Sequence, residues 1–148
     1  MDFISCNATE NYMLDLHLSE LKNNLNNLLK HLNNNNSNFL FNSKDNITST
    51  LKEVIHTLSL KNDCVNNDDI KKLEFQSKSL NIITPVYYKT SINSNFTYID
   101  VCINTLLRLK NNYNNPSSYY SIYLNELYIY LSFLKNYTSW LRSDLLVL

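Results

Sequence analysis

The side chains that could do chemistry are few and widely spaced. The histidines are His17, His31 and His56, and the cysteines Cys6, Cys64 and Cys102. Imidazole and thiolate are the common zinc ligands, and also the base and nucleophile of a hydrolytic pair. Both roles need close spacing, or a fold that brings the groups together. His17 and His31 are two heptads apart on one predicted helix, about 21 Å by helical rise. That is too far to share a metal. No histidine is paired in sequence with a cysteine or carboxylate at ligand spacing, so all three are expected at the surface or rim. Cys102 lies in an apolar helical face and reads as a small core residue. A reactive cysteine needs local pKa depression, and no neighbouring residue announces it.

The carboxylates are no more suggestive. Asp63, Asp68 and Asp69 fall in one polar stretch. A calcium-binding loop would add a turn glycine and a terminal bidentate glutamate. The chain has no glycine at all. Asp68 and Asp69 instead suit the positive N-terminus of a following helix. Glu53 and Glu126 belong to different helices and form no acid–base pair readable from sequence. Missing glycine also excludes phosphate-cradling loops and strained nucleophile turns in their usual form. Helix ends and turns are then expected to use asparagine, the next most tolerant residue. The reading is of a protein that is not an enzyme, with no catalytic, cofactor-binding or metal-ligating residues.

Composition narrows the partners. The 148 residues carry 13 basic and 13 acidic side chains, for a formal charge of zero. The basic residues are scattered, so neither nucleic acid nor an anionic membrane is an expected partner. Alanine occurs once, at Ala8, and arginine only at Arg108 and Arg142. This is the usage of an AT-rich genome, viral among the possible sources, and it reports mutation bias rather than function. An odd cysteine count with wide spacing suits a reducing, intracellular compartment. The start, Met1 to Ser5, lacks the pattern of a signal peptide.

These residues need elements to position them, and the last third of the chain supplies the main one. Tyr120, Leu124, Leu127, Leu131, Leu134, Thr138, Leu141, Leu145 and Leu148 follow one another at alternating steps of four and three. That spacing keeps one seam on one side of a helix. Tyr123, Tyr130 and Tyr137 run beside the seam as a second line. Their bulk reads as core filler, with hydroxyls at the rim. Ile122, Ile129, Phe133 and Trp140 occupy further flanks. A helix apolar nearly all round is wrapped by its neighbours or meets a partner. Pro116 suits its first turn, with Asn115 as cap, so one unbroken helix is predicted over 116–148. Glu126, Lys135 and Arg142 interrupt every window long enough to span a membrane.

Four earlier helices are predicted. Leu14, Leu18, Leu21, Leu25, Leu28 and Leu32 make a narrow seam on the first, which would follow a capping box at Asn7 and Glu10. The second would begin near Asn46 or Thr50, with Thr50 and Glu53 as another box, and would bury Ile47, Leu51, Val54, Ile55 and Leu58. Phe39, Leu40 and Phe41 in the connection before it would tuck onto the core. A shorter helix covers about Asp68 to Leu80 and would bury Ile70, Leu73 and Leu80. Pro85 and the β-prone residues from Asn81 to Tyr88 predict an extended crossover laid over the bundle. After caps drawn from Ser91 to Asn95, a fourth helix runs from about Phe96 to Tyr113 and buries Ile99, Ile103 and Leu106.

The expected fold is thus all-α: a single-domain helical bundle over 1–148, with about five helices, a long, largely buried C-terminal helix and one short extended crossover. The expected function is a non-enzymatic protein–protein interaction module, an adaptor or assembly subunit acting through helix packing. It would bind a protein partner or itself. Leu127, Tyr130, Leu131, Leu134 and Trp140 are the candidate contact residues, because Trp and Tyr dominate interface energetics. Length, helix content and AT-biased composition also resemble those of small viral Bcl-2-like proteins. That resemblance implies, as the alternative, a virus-encoded inhibitor of host apoptosis or innate signalling that binds amphipathic helices in a groove. The family's Asn-Trp-Gly-Arg motif is absent, since Trp140 is followed by Leu141 and glycine does not occur. A small helical enzyme or cofactor binder is the third reading.

Overall fold

Stretches with apolar residues at three- and four-residue steps must bury one face, and each of them forms a helix that does so. The computed structural model describes residues 3–34, 41–60, 64–86, 96–113, 115 and 117–141, with side chains from Tyr12 in the first segment and from Ser43 in the second. Five helices lie among the described residues: α1 (Phe3–Asn34), α2 (Phe41–Leu58), α3 (Asn67–Ile83), α4 (Tyr98–Asn111) and α5 (Tyr119–Leu141). No strand occurs among them, and the helices pack on one another as a bundle.

Side-chain pairs fix the directions. Asn24 Nδ2 donates to Thr105 Oγ1 at 2.8 Å, Arg108 faces Glu20 at 3.5 Å, and His31 stacks on Tyr98 at 3.8 Å between centroids. Residue numbers rise on α1 as they fall on α4, so the two are antiparallel. Lys135 with Asp100, and Lys110 over the Tyr128 ring, set α5 antiparallel to α4 in the same way. Backbone approach is closest between α3 and α5 and between α1 and α4.

The central position of α5 follows from its seam. Tyr120, Leu124, Leu127, Leu131, Leu134 and Thr138 are all buried, and Tyr123, Tyr130 and Tyr137 are buried beside them. The other helices contribute Leu21, Leu25, Leu28, Leu51, Leu58, Ile99 and Leu106 to the same core. The threonine and serine residues inside it satisfy themselves locally. Thr138, Thr105 and Ser77 each donate to the carbonyl four residues back.

Helix ends depart from the sequence reading. α1 begins at Phe3 and α2 at Phe41, so the Asn7 and Thr50 box patterns lie inside helices. Within α2, Thr50 donates to the Asn46 carbonyl at 2.8 Å instead of capping. A cap forms only where the upstream chain cannot continue the helix, and here it continues. The capping boxes that do form use aspartate. Asn66 with Asp69 starts α3, and Thr97 with Asp100 starts α4. The caps expected from Ser91 to Asn95 lie outside the described residues. α5 starts at Ser118, whose Oγ accepts from Ser121 N at 3.1 Å, and not at Pro116. The expected continuation beyond Leu141 lies outside the described residues, as do Phe39 and Leu40. Asn81, Ile82 and Ile83 form the last residues of α3, not the start of the crossover. Extended backbone begins at Thr84, with φ −87° and ψ 127°, while Tyr87 and Tyr88 lie outside the described residues. No described residue takes positive φ. Asparagine is therefore not used here as a left-handed stand-in for glycine. Asn112 closes α4 in the right-handed region, its side chain donating to the Arg108 carbonyl at 2.8 Å.

Candidate functional site

The feature best formed to receive something is a cleft of about 350 Å³ between α2 and α3, with α5 beneath it. It exists because α2 and α3 touch little, although they are consecutive and both lie against the core. α2 is also held off α5 by long side chains. Tyr137 Oη lies 2.6 Å from Ser43 Oγ. Tyr130 has Thr50 as its neighbour, and Tyr123 has Thr57. The tyrosines recur every seven residues on α5, and Ser43, Thr50 and Thr57 every seven on α2. Two antiparallel rows in the same register meet rung by rung.

Tyr123, Val54, Leu73, Thr50 and Thr57 give the cleft its largely apolar lining. Glu53 and Lys72 face each other across the mouth at 3.8 Å, with Asp69, Lys71 and Gln76 nearby. That ion pair is exposed and holds the mouth weakly. Phe75, on the α3 rim, is 67% exposed. Ile82 and Ile83 lie seven residues beyond Phe75 and Gln76, so they continue the same side of α3, and both are exposed.

The phenols of the floor are proton donors at neutral pH. Burial pushes the Tyr123 hydroxyl well above the ordinary phenol value, and the nearby Asp69 and Glu53 carboxylates push the same way. Burial does the same at Tyr130. These groups can hold and orient an acceptor, but they are poor bases and poor nucleophiles. Cys102 lies on α4 in the core, where burial raises its thiol to about 12. It fills space, as the sequence suggests.

Of the contact residues proposed from sequence, Leu127, Tyr130, Leu131 and Leu134 are at most 1% exposed. They form the interior of the bundle, so a partner could reach them only by opening it. Trp140 is at the surface, 37% exposed and edge-on to Tyr137 at 6.0 Å. It does not join the cleft lining. The histidines are dispersed: His56 is exposed, and His31 is half-buried against Tyr98. His17 is not at the rim. It is 8% exposed, with Nδ1 lacking a hydrogen-bond partner. Among the described residues no three of His, Cys, Asp and Glu converge as a metal site, and no helix is long and apolar enough to cross a membrane.

The sequence reading missed Phe75, Thr57 and the pairing of α2 with the tyrosine row. The usable signal was the shared seven-residue spacing of 43/50/57 and 123/130/137. No family model, curated protein or solved structure matches the chain.

Proposed function

We propose that the protein is a non-enzymatic interaction module whose α2–α3 cleft takes an amphipathic helical segment of a partner protein. One observation carries this reading: an apolar cleft between two helices, with a phenylalanine left two-thirds exposed on its rim. Exposing a large aromatic beside a concave apolar surface is costly unless something covers both. A helix laid in a groove anchors through residues at i, i+3, i+4 and i+7. The row formed by Phe75, Ile82 and Ile83 matches that spacing on the receiving side. Glu53 and Lys72 offer one charge of each sign to the polar flanks of such a segment. The virus-encoded Bcl-2-like alternative draws no specific support from the cleft, whose lining contains neither Trp140 nor an arginine.

The test is fluorescence anisotropy of labelled amphipathic helices, with varied anchor residues, against the full chain. A binding helix should lose about tenfold or more in affinity on Phe75→Ala, with the melting curve unchanged, because the side chain is a rim anchor and not a core residue. Unaltered affinity in that variant, or no binding by any helix in the panel, would reject the reading.

A further inference from the structure

We infer that α2 is a movable wall, and that the tyrosine–hydroxyl rungs joining it to α5 are the latch that sets the width of the cleft. The inference rests on the cleft being the binding site, but the motion itself needs no ligand to be observed.

A helix with its side chains is about 10–12 Å across. A volume of 350 Å³ is the size of a small-molecule pocket and admits only a few side chains. Seating a helical segment therefore requires one wall to retreat. α3 cannot retreat easily, because its backbone lies close along α5. The backbone of α2 approaches neither α3 nor α5 closely, and its main backbone neighbour is α1. What joins α2 to α5 is polar and lies at the ends of long side chains. Such contacts can be exchanged for contacts with water or ligand without opening a cavity behind them.

The rungs are unequal. The Tyr137–Ser43 rung is made, at 2.6 Å. The middle one is not. The Tyr130 hydroxyl is buried beside Thr50 yet has no hydrogen-bond partner. The Thr50 proton is committed to the Asn46 carbonyl, so its oxygen can accept. A small movement of α2 along α5 would close this rung. The position of α2 in the empty cleft is therefore not the one that best satisfies the row, and an occupied cleft can favour another.

Hydrogen exchange read by mass spectrometry on the unliganded full chain tests this with two substitutions of opposite sign. Tyr137→Phe removes a made rung. It should speed amide exchange across α2 by about two- to tenfold, while α3 and α4 keep their rates. Tyr130→Phe removes an unmet buried donor and should leave α2 exchange unchanged or slower. Two outcomes would overturn the inference: equal acceleration by both variants, or acceleration spread evenly over α2, α3 and α4. Neither would bear on whether a helix binds the cleft, which the anisotropy measurement decides separately.

Discussion

Two helices flank α5, and the chain joins them to it by different means. The buried face of α3 carries Ile70, Leu73, Ser77, Leu80 and Thr84. Ser77 and Thr84 are small and turn their hydroxyls back on their own helix, so they let the α3 and α5 backbones approach. Toward α2, α5 presents tyrosines at every seventh position, and α2 answers with hydroxyls. Both joints repeat along the same helix. Side-chain length decides which is tight and which leaves a cleft. A seam that looks uniform as a list of apolar letters thus contains one permanent joint and one that can yield.

Substitutions can break or sharpen this contrast. The largest effect is expected at the tight joint. Leu80→Ala should cost about 2–5 kcal/mol in denaturant unfolding, since the close-packed α3 face cannot collapse into the space left. Ser77→Leu should cost about 1–3 kcal/mol in the same assay by overfilling the place where the backbones meet. At the loose joint the response should be smaller. Thr57→Val removes the Tyr123 partner from the cleft wall and should cost about 1 kcal/mol. A cost equal to that of Leu80→Ala would mean that the α2 joint is as tight as the α3 joint.

The smallest effect concerns Glu126, on the outer flank of α5. Partial burial raises its carboxyl above the ordinary value of 4.5, against the opposing pull of the Ser77 hydroxyl. The folded chain therefore holds this proton more tightly than the unfolded chain. Its stabilising contribution is complete below about pH 4.5 and is lost as pH rises through the folded-state value. Glu126→Gln should raise stability near neutral pH by a few tenths of a kcal/mol, because the group is largely exposed. Thermal melts should show that gain disappearing below about pH 4.5.

Much of the fold was legible because burial imposes a period. The leucine steps in α1 and the four–three seam of α5 can satisfy only a helix, and the choice of α5 as the central helix needed nothing more. The starts of α1 and α2 were not legible, because the Asn7 and Thr50 patterns are also compatible with a helix that simply continues. The start of α4 was misplaced because Thr97 and Asp100 are one capping pair among many Ser, Thr and Asn residues. The cleft was beyond reach for another reason. Its residues come from three helices, and its width depends on how far Tyr123 and Tyr130 hold α2 from α5. Distance between helices is not written in either one alone. The contact residues chosen from sequence were the most apolar in the chain, and for that reason four of the five are in the interior.

Asp100 has a consequence of its own. Its Oδ2 accepts from the backbone N–H of Thr97 at 2.7 Å, while its Oδ1 holds Lys135 of α5, also at 2.7 Å. One carboxylate is thus both the stopper of a helix and the rivet between two helices. Fraying the first turn of α4 loosens the grip on α5, and pulling α5 away unwinds that turn. Two events that are separable in most bundles are fused at this corner, which makes it the firm abutment against which a yielding wall elsewhere can work.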